Sequence, residues 1–179
     1  MTGFFQEFDR RTAARAAADE FVAASQTNDP GAGLRPLGRM EITHGLAGVR
    51  DLAAEVLLIL HRTCPPDLRT PRGGPDLSLL VPAVDDPFEV LAAAAHLSHA
   101  EDRDVPDASD ISRIEHSVAT ATSARQILQA ALDSITEQPD DTAGFLAAIE
   151  LLAPLARGDV IATFPLLALA VRAAAPTAR

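Results

Sequence analysis

His96 and His99 are the residues whose type and spacing point most directly to chemistry. Three positions apart, they sit about 60° from each other on one helix face. The segment that carries them opens Asp86-Pro87-Phe88-Glu89. Asp86 can cap a helix, Pro87 suits its first position and Glu89 falls three residues after the cap. A helix over 86–99 is therefore expected. Its body is otherwise Phe, Val, Leu and Ala nearly all round, so it is expected to be central and buried. Two imidazoles there could hold a metal ion or act as an acid–base pair, and Glu89, seven residues before His96, projects to the same side. The same groups have structural uses. Histidines in a last turn complement the helix dipole, and Glu89 completes a capping box with Asp86. A lone His-x-x-His lacks the rest of a ligand set, so no metal site is assigned. His96 and His99 are the catalytic candidates and Glu89 is a ligand-binding candidate.

Arg125 is the second ligand-binding candidate. Ile111, Ile114, Val118, Ala121, Leu128, Leu132 and Ile135 follow a 3-4 spacing, and Arg125 is the one polar residue in that seam. A guanidinium there either pairs with a carboxylate and fixes helix register, or receives an anionic ligand.

The remaining motifs are incomplete. Glu41-Ile42-Thr43-His44 has the Glu-x-x-His spacing of di-iron bundles, which need two such motifs, and the chain has no second. Cys64 lies among prolines with no base nearby in sequence, a poor setting for a thiolate nucleophile. Arg69-Thr70-Pro71-Arg72-Gly73-Gly74 lacks the lysine of a phosphate loop and does not open a helix. His61 and His116 fall on polar faces by their periodicity and are expected to be exposed.

These residues must be positioned by helices. The expected fold is all-α: a single helical domain over 1–179, a bundle of five to six helices with one long Pro/Gly-rich loop at 65–85. The first helix spans 3–26, with Phe4, Phe8 and Val22 as its apolar stripe. The second starts between 39 and 46 and stops at Pro65-Pro66. On it Ile42, Leu46, Val49, Leu52, Val56, Ile59 and Leu60 face the core, while Arg50, Asp51, Glu55, His61 and Arg62 face water. The loop allows a short extended piece at 77–81. After the helix at 86–99, the longest helix is expected over 109–138. Asp141 caps the next, which carries Phe145, Ile149 and Leu152 and ends at Arg157-Gly158. The last covers 160–175.

Composition narrows the function classes. The net charge is −10, which repels phosphate backbones and anionic lipids. Trp and Tyr are absent, and with them the usual base-stacking platforms. Neither nucleic acid nor a membrane is expected as a partner. The apolar run Val160–Val171 is 12 residues long, short of the roughly 20 needed to cross a bilayer. One cysteine excludes an intrachain disulfide, and the first residues lack the order of a signal peptide, so a cytoplasmic location is expected. All fifteen basic residues are Arg, which reads as a high-GC codon bias without functional meaning. The expected function is a non-catalytic helical protein that binds a small molecule or a partner protein, as a homodimer. The alternative is a small enzyme of specialised metabolism with a His-based acid/base or metal site between helices. No cofactor is identifiable.

Overall fold

The computed structural model describes residues 2–27, 32–81 and 108–176, those at 2, 4 and 108–121 by backbone only. Among the described residues the fold is all-α, with no strand. In chain order the helices are α1 (Thr2–Ser25), α2 (Leu34–Thr63), a short 3-10 turn (Pro66–Leu68), α3 (Leu77–Leu80), α4 (Ala108–Thr136), α5 (Asp141–Leu152) and α6 (Arg157–Ala174).

α1 is rich in Ala, which favours helix at no side-chain entropy cost. Its buried stripe is Ala14, Ala17, Ala18 and Phe21, small residues that let it lie close against α2. Phe8, read from the sequence as part of the stripe, is 65% exposed. The ion pairs Glu20–Arg39 and Arg10–Asp51 show that α1 and α2 run antiparallel. Phe21 meets Phe164 of α6 edge to face, with centroids 5.5 Å apart, a favoured aromatic geometry.

α2 begins earlier than its periodicity suggests and is broken at Gly45, which has φ 63° and ψ −155°. That break explains why Ile42 is 89% exposed rather than in the core. It lies before Gly45 and is out of register with the face that follows. From Gly48 to Leu60 α2 is buried almost all round, with only Arg50 and Ile59 half-buried, and α1, α4, α5 and α6 all pack on it. Asp51 and Glu55, expected on a water face, are 4% and 3% exposed. The reason is tertiary. Arg10 Nε donates to Asp51 at 2.6 Å, Arg11 Nε donates to Glu55 at 3.0 Å, and Arg15 lies 3.5 Å from Glu55. The Arg11 guanidinium also stacks 4.1 Å over the ring of Phe145. A helical projection takes charged positions as solvated and cannot see cations supplied by a neighbouring helix.

The helix expected over 86–99 lies outside the described residues. α4 matches the expected seam where side chains are described, with Leu128, Leu132 and Ile135 buried. It has 29 residues against 30 for α2, so among the described residues it is the longest unbroken helix but not the longest overall. The N-cap of α5 is Asp140, whose carboxylate accepts from the Ala143 N–H at 2.8 Å. Asp141, expected in that role, pairs instead with Arg62 at 2.6 Å. α5 stops at Leu152, before Pro154, and Arg157-Gly158 opens α6 rather than closing α5. Arg50 reaches this junction and donates to the Leu155 carbonyl at 2.6 Å.

Candidate functional site

The segment after α2 is a built turn docked on α4. Pro65-Pro66 ends α2, and Arg69 folds back over its last carbonyls. Its Nε donates to Cys64 O at 3.0 Å and its Nη2 to His61 O at 2.8 Å. These bonds satisfy acceptors that a helix end leaves open. The Nη1 of the same side chain donates to Gly73 O at 2.7 Å and holds the turn closed. The Thr70 N–H donates to Gly74 O at 2.7 Å, and the Gly73 N–H to Thr70 O at 2.9 Å. Gly73 has φ 95°, where side-chain-bearing residues are strained. Gly74 is needed for another reason: a Cβ there would meet Thr136 Oγ1 of α4 at 2.2 Å.

Gln129 fixes the turn to α4. Its Oε1 accepts from the Leu77 N–H at 2.9 Å, and its Nε2 donates to Pro75 O at 3.1 Å and to Asp133 Oδ1 at 3.0 Å. Within the 77–81 stretch, Leu77–Leu80 is a helical turn rather than the extended piece its composition suggests. Asp76 caps it, with Oδ1 accepting from the Ser78 N–H at 2.9 Å. An isolated antiparallel bridge joins Arg69 and Pro75.

Between this turn and α4 lies an open groove of about 360 Å³, lined on one side by Thr70, Asp76 and Ser78 and on the other by Arg125, Gln129 and Asp133. Arg125, Gln129 and Asp133 are spaced by four, so they form a single stripe down α4. Arg125 is half-buried. It has no hydrogen-bond or ion-pair partner among the described residues, while every other arginine with a described side chain is engaged. Neither Asp76 nor Asp133 is within ion-pair distance of it. The Thr70 hydroxyl is sealed from water and unpartnered.

Comparison with protein-family models, with curated proteins and with solved structures found no match.

Of the candidates read from the sequence, Arg125 lies in the groove, whereas His96, His99 and Glu89 lie outside the described residues. The structure brings to Arg125 the residues that sequence reasoning missed: Thr70, Asp76, Gln129 and Asp133. The four-residue stripe from Arg125 was a legible signal for the two on α4. Among the described residues no group of three or more His, Cys, Asp or Glu side chains is placed to hold a metal ion. Glu41 is held by Arg157 of α6, whose hydrogen bond keeps its carboxyl below the usual range. Cys64 is buried, and burial pushes its thiol up, away from the reactive thiolate. His61 is half-buried rather than exposed. Its burial, then the nearby Arg69, lowers its pKa. No helix among the described residues is long and apolar enough to cross a membrane.

Proposed function

We propose that the chain is a non-catalytic helical protein that binds a small molecule with an anionic group, in the groove between α4 and the turn at 69–78. The observation that carries this reading is Arg125: a half-buried guanidinium on a groove wall with no partner among the described residues. A guanidinium on a groove wall with no counterion among the described residues can take an arriving carboxylate through charge-assisted, often bidentate hydrogen bonds. The turn is preorganised by Arg69 and Gln129, so little ordering entropy opposes binding. The groove residues also favour binding over catalysis. Asp76 is engaged as a cap, the Gln129 amide is committed to the turn, and among the described residues no histidine or cysteine lines the cavity. A homodimer belongs to the same reading. Phe5 and Phe8 are exposed three positions apart on one face of α1, and Leu146 is exposed on α5. Such apolar surface is commonly covered by a second copy.

The test is a thermal-unfolding screen, followed by circular dichroism, with small carboxylates at millimolar concentration. At least one should raise the midpoint of the wild-type protein and leave Arg125→Gln unmoved. Equal shifts in both proteins, or none in either, would overturn the assignment of the site. Light scattering should give twice the 18.8 kDa chain mass.

A further inference from the structure

The groove has a second charged end. Asp133 lies two helical turns beyond Arg125 on the same stripe, about 12 Å along the axis. Asp76 stands at the level between them, because its neighbour Leu77 is bonded to Gln129, one turn from Arg125. Each carboxylate has one oxygen engaged and one left over. Asp76 Oδ1 takes the N–H and O–H of Ser78, and Asp133 Oδ1 takes Gln129 Nε2. Among the described residues no hydrogen bond or ion pair to Oδ2 of either is present. Arg125 could neutralise these carboxylates only by reaching them, and the structure keeps it beyond ion-pair distance. The groove therefore holds a separated cation and anion pair with open space between.

From this arrangement we infer that the ligand is a zwitterion with its charges at opposite ends of a short chain. Its carboxylate meets Arg125, and its ammonium meets the free oxygens of Asp76 and Asp133. This rests on the reading that the groove binds an anion at Arg125, and it adds the class of molecule. Asp133, two helical turns from Arg125 along the stripe, favours charges set apart along a chain. This spacing suits an ω-amino acid or a peptide of two or three residues. Both present an ammonium and a carboxylate, and a peptide adds amides that can meet the polar groups of Gln126 and Ser78 on the lining. A simple carboxylate satisfies only one end. It leaves the acidic end as it is in the free protein, so its binding is weaker rather than absent.

The experiment is isothermal titration of the full chain with 6-aminohexanoate, hexanoate, hexylamine and triglycine. A second charge-assisted contact should give 6-aminohexanoate or triglycine an advantage over hexanoate of about tenfold or more. Whichever of the two binds tighter identifies the source of the shared chemistry. The Asp76→Asn, Asp133→Asn double variant keeps the cap and the acceptor for Gln129 but loses both charges. With two repelling charges gone it should bind hexanoate more tightly than the wild type, and 6-aminohexanoate should lose its advantage over hexanoate. Arg125→Gln should lose hexanoate and the zwitterions alike. If the zwitterions bind no tighter than hexanoate while hexanoate still depends on Arg125, the zwitterion is wrong and the anion site stands. If no carboxylate probe binds, or binding ignores Arg125, both fall.

Discussion

The buried pair between α1 and α2 makes an asymmetric prediction. Asp51 is 5% exposed at its side chain, whereas Arg10, which donates to it at 2.6 Å, is 28% exposed. Removing the cation strands a carboxylate in the interior. Removing the anion leaves a guanidinium that can turn toward water. Breaking a buried pair by deleting one partner costs about 3–5 kcal/mol. The partial exposure of Arg10 places Arg10→Met near the lower end, about 3 kcal/mol. For a chain of this length that corresponds to a fall of roughly 6–12 °C in the unfolding midpoint. Asp51→Asn keeps the shape and an acceptor for Arg10, so it should cost under about 1 kcal/mol. The pH dependence separates this from a loss of packing. Burial pushes the Asp51 carboxyl above its ordinary value, and the hydrogen bond from Arg10 only partly offsets that. A folded-state pKa above the unfolded one means that the folded protein holds the proton more tightly. The stabilisation is then present below the unfolded pKa and is lost as pH rises through the raised folded value. Without Arg10 the folded value rises further. The deficit of Arg10→Met should therefore shrink as pH falls from neutrality toward the carboxylate range. Urea unfolding by far-UV circular dichroism is the assay, since the chain has no Trp or Tyr to follow by fluorescence. Equal losses for the two variants, or a pH-independent deficit, would refute the reasoning.

Other substitutions test the packing that holds the groove. Leu132 is fully buried in the α4 seam, so Leu132→Ala should lose roughly 2–5 kcal/mol in urea unfolding. Gly74→Ala drives a Cβ onto Thr136 Oγ1 and should cost about 1–3 kcal/mol, most of it restored when Thr136→Ala is added, as a double-mutant cycle will read. Thr70→Val removes an orphaned hydroxyl of nearly the same shape and should raise stability by about 1 kcal/mol or more, measured as a higher midpoint.

The helices were largely legible because their signals are local. The Ala-rich run of α1, the prolines after Cys64 and the seam of α4 act within a few residues of themselves. The misreadings came where a distant residue decides the outcome. Asp51 and Glu55 are buried because Arg10, Arg11 and Arg15 arrive from α1. The turn at 77–80 is helical because Asp76 caps it and Gln129 receives its first N–H. Asp140 and Asp141 are chemically equivalent in sequence, and only the placement of Arg62 separates their roles. The site was half visible. A guanidinium breaking an apolar seam marked Arg125. Thr70 and Asp76, some fifty residues away, join it only through the docking of the turn on α4.

Arg125 is the residue whose behaviour on ligand arrival decides whether the groove is a binding site. Side-chain nitrogen–proton correlation spectra during a titration with 6-aminohexanoate observe it in place. The Nε–H of Arg125 should shift saturably, together with the side-chain amide of Gln129 and the backbone amide of Thr70, and should do so equally in the folded Asp51→Asn variant. An Arg125 resonance that does not move at millimolar probe, or shifts confined to residues away from the turn and α4, would contradict the assignment of this groove as the binding site.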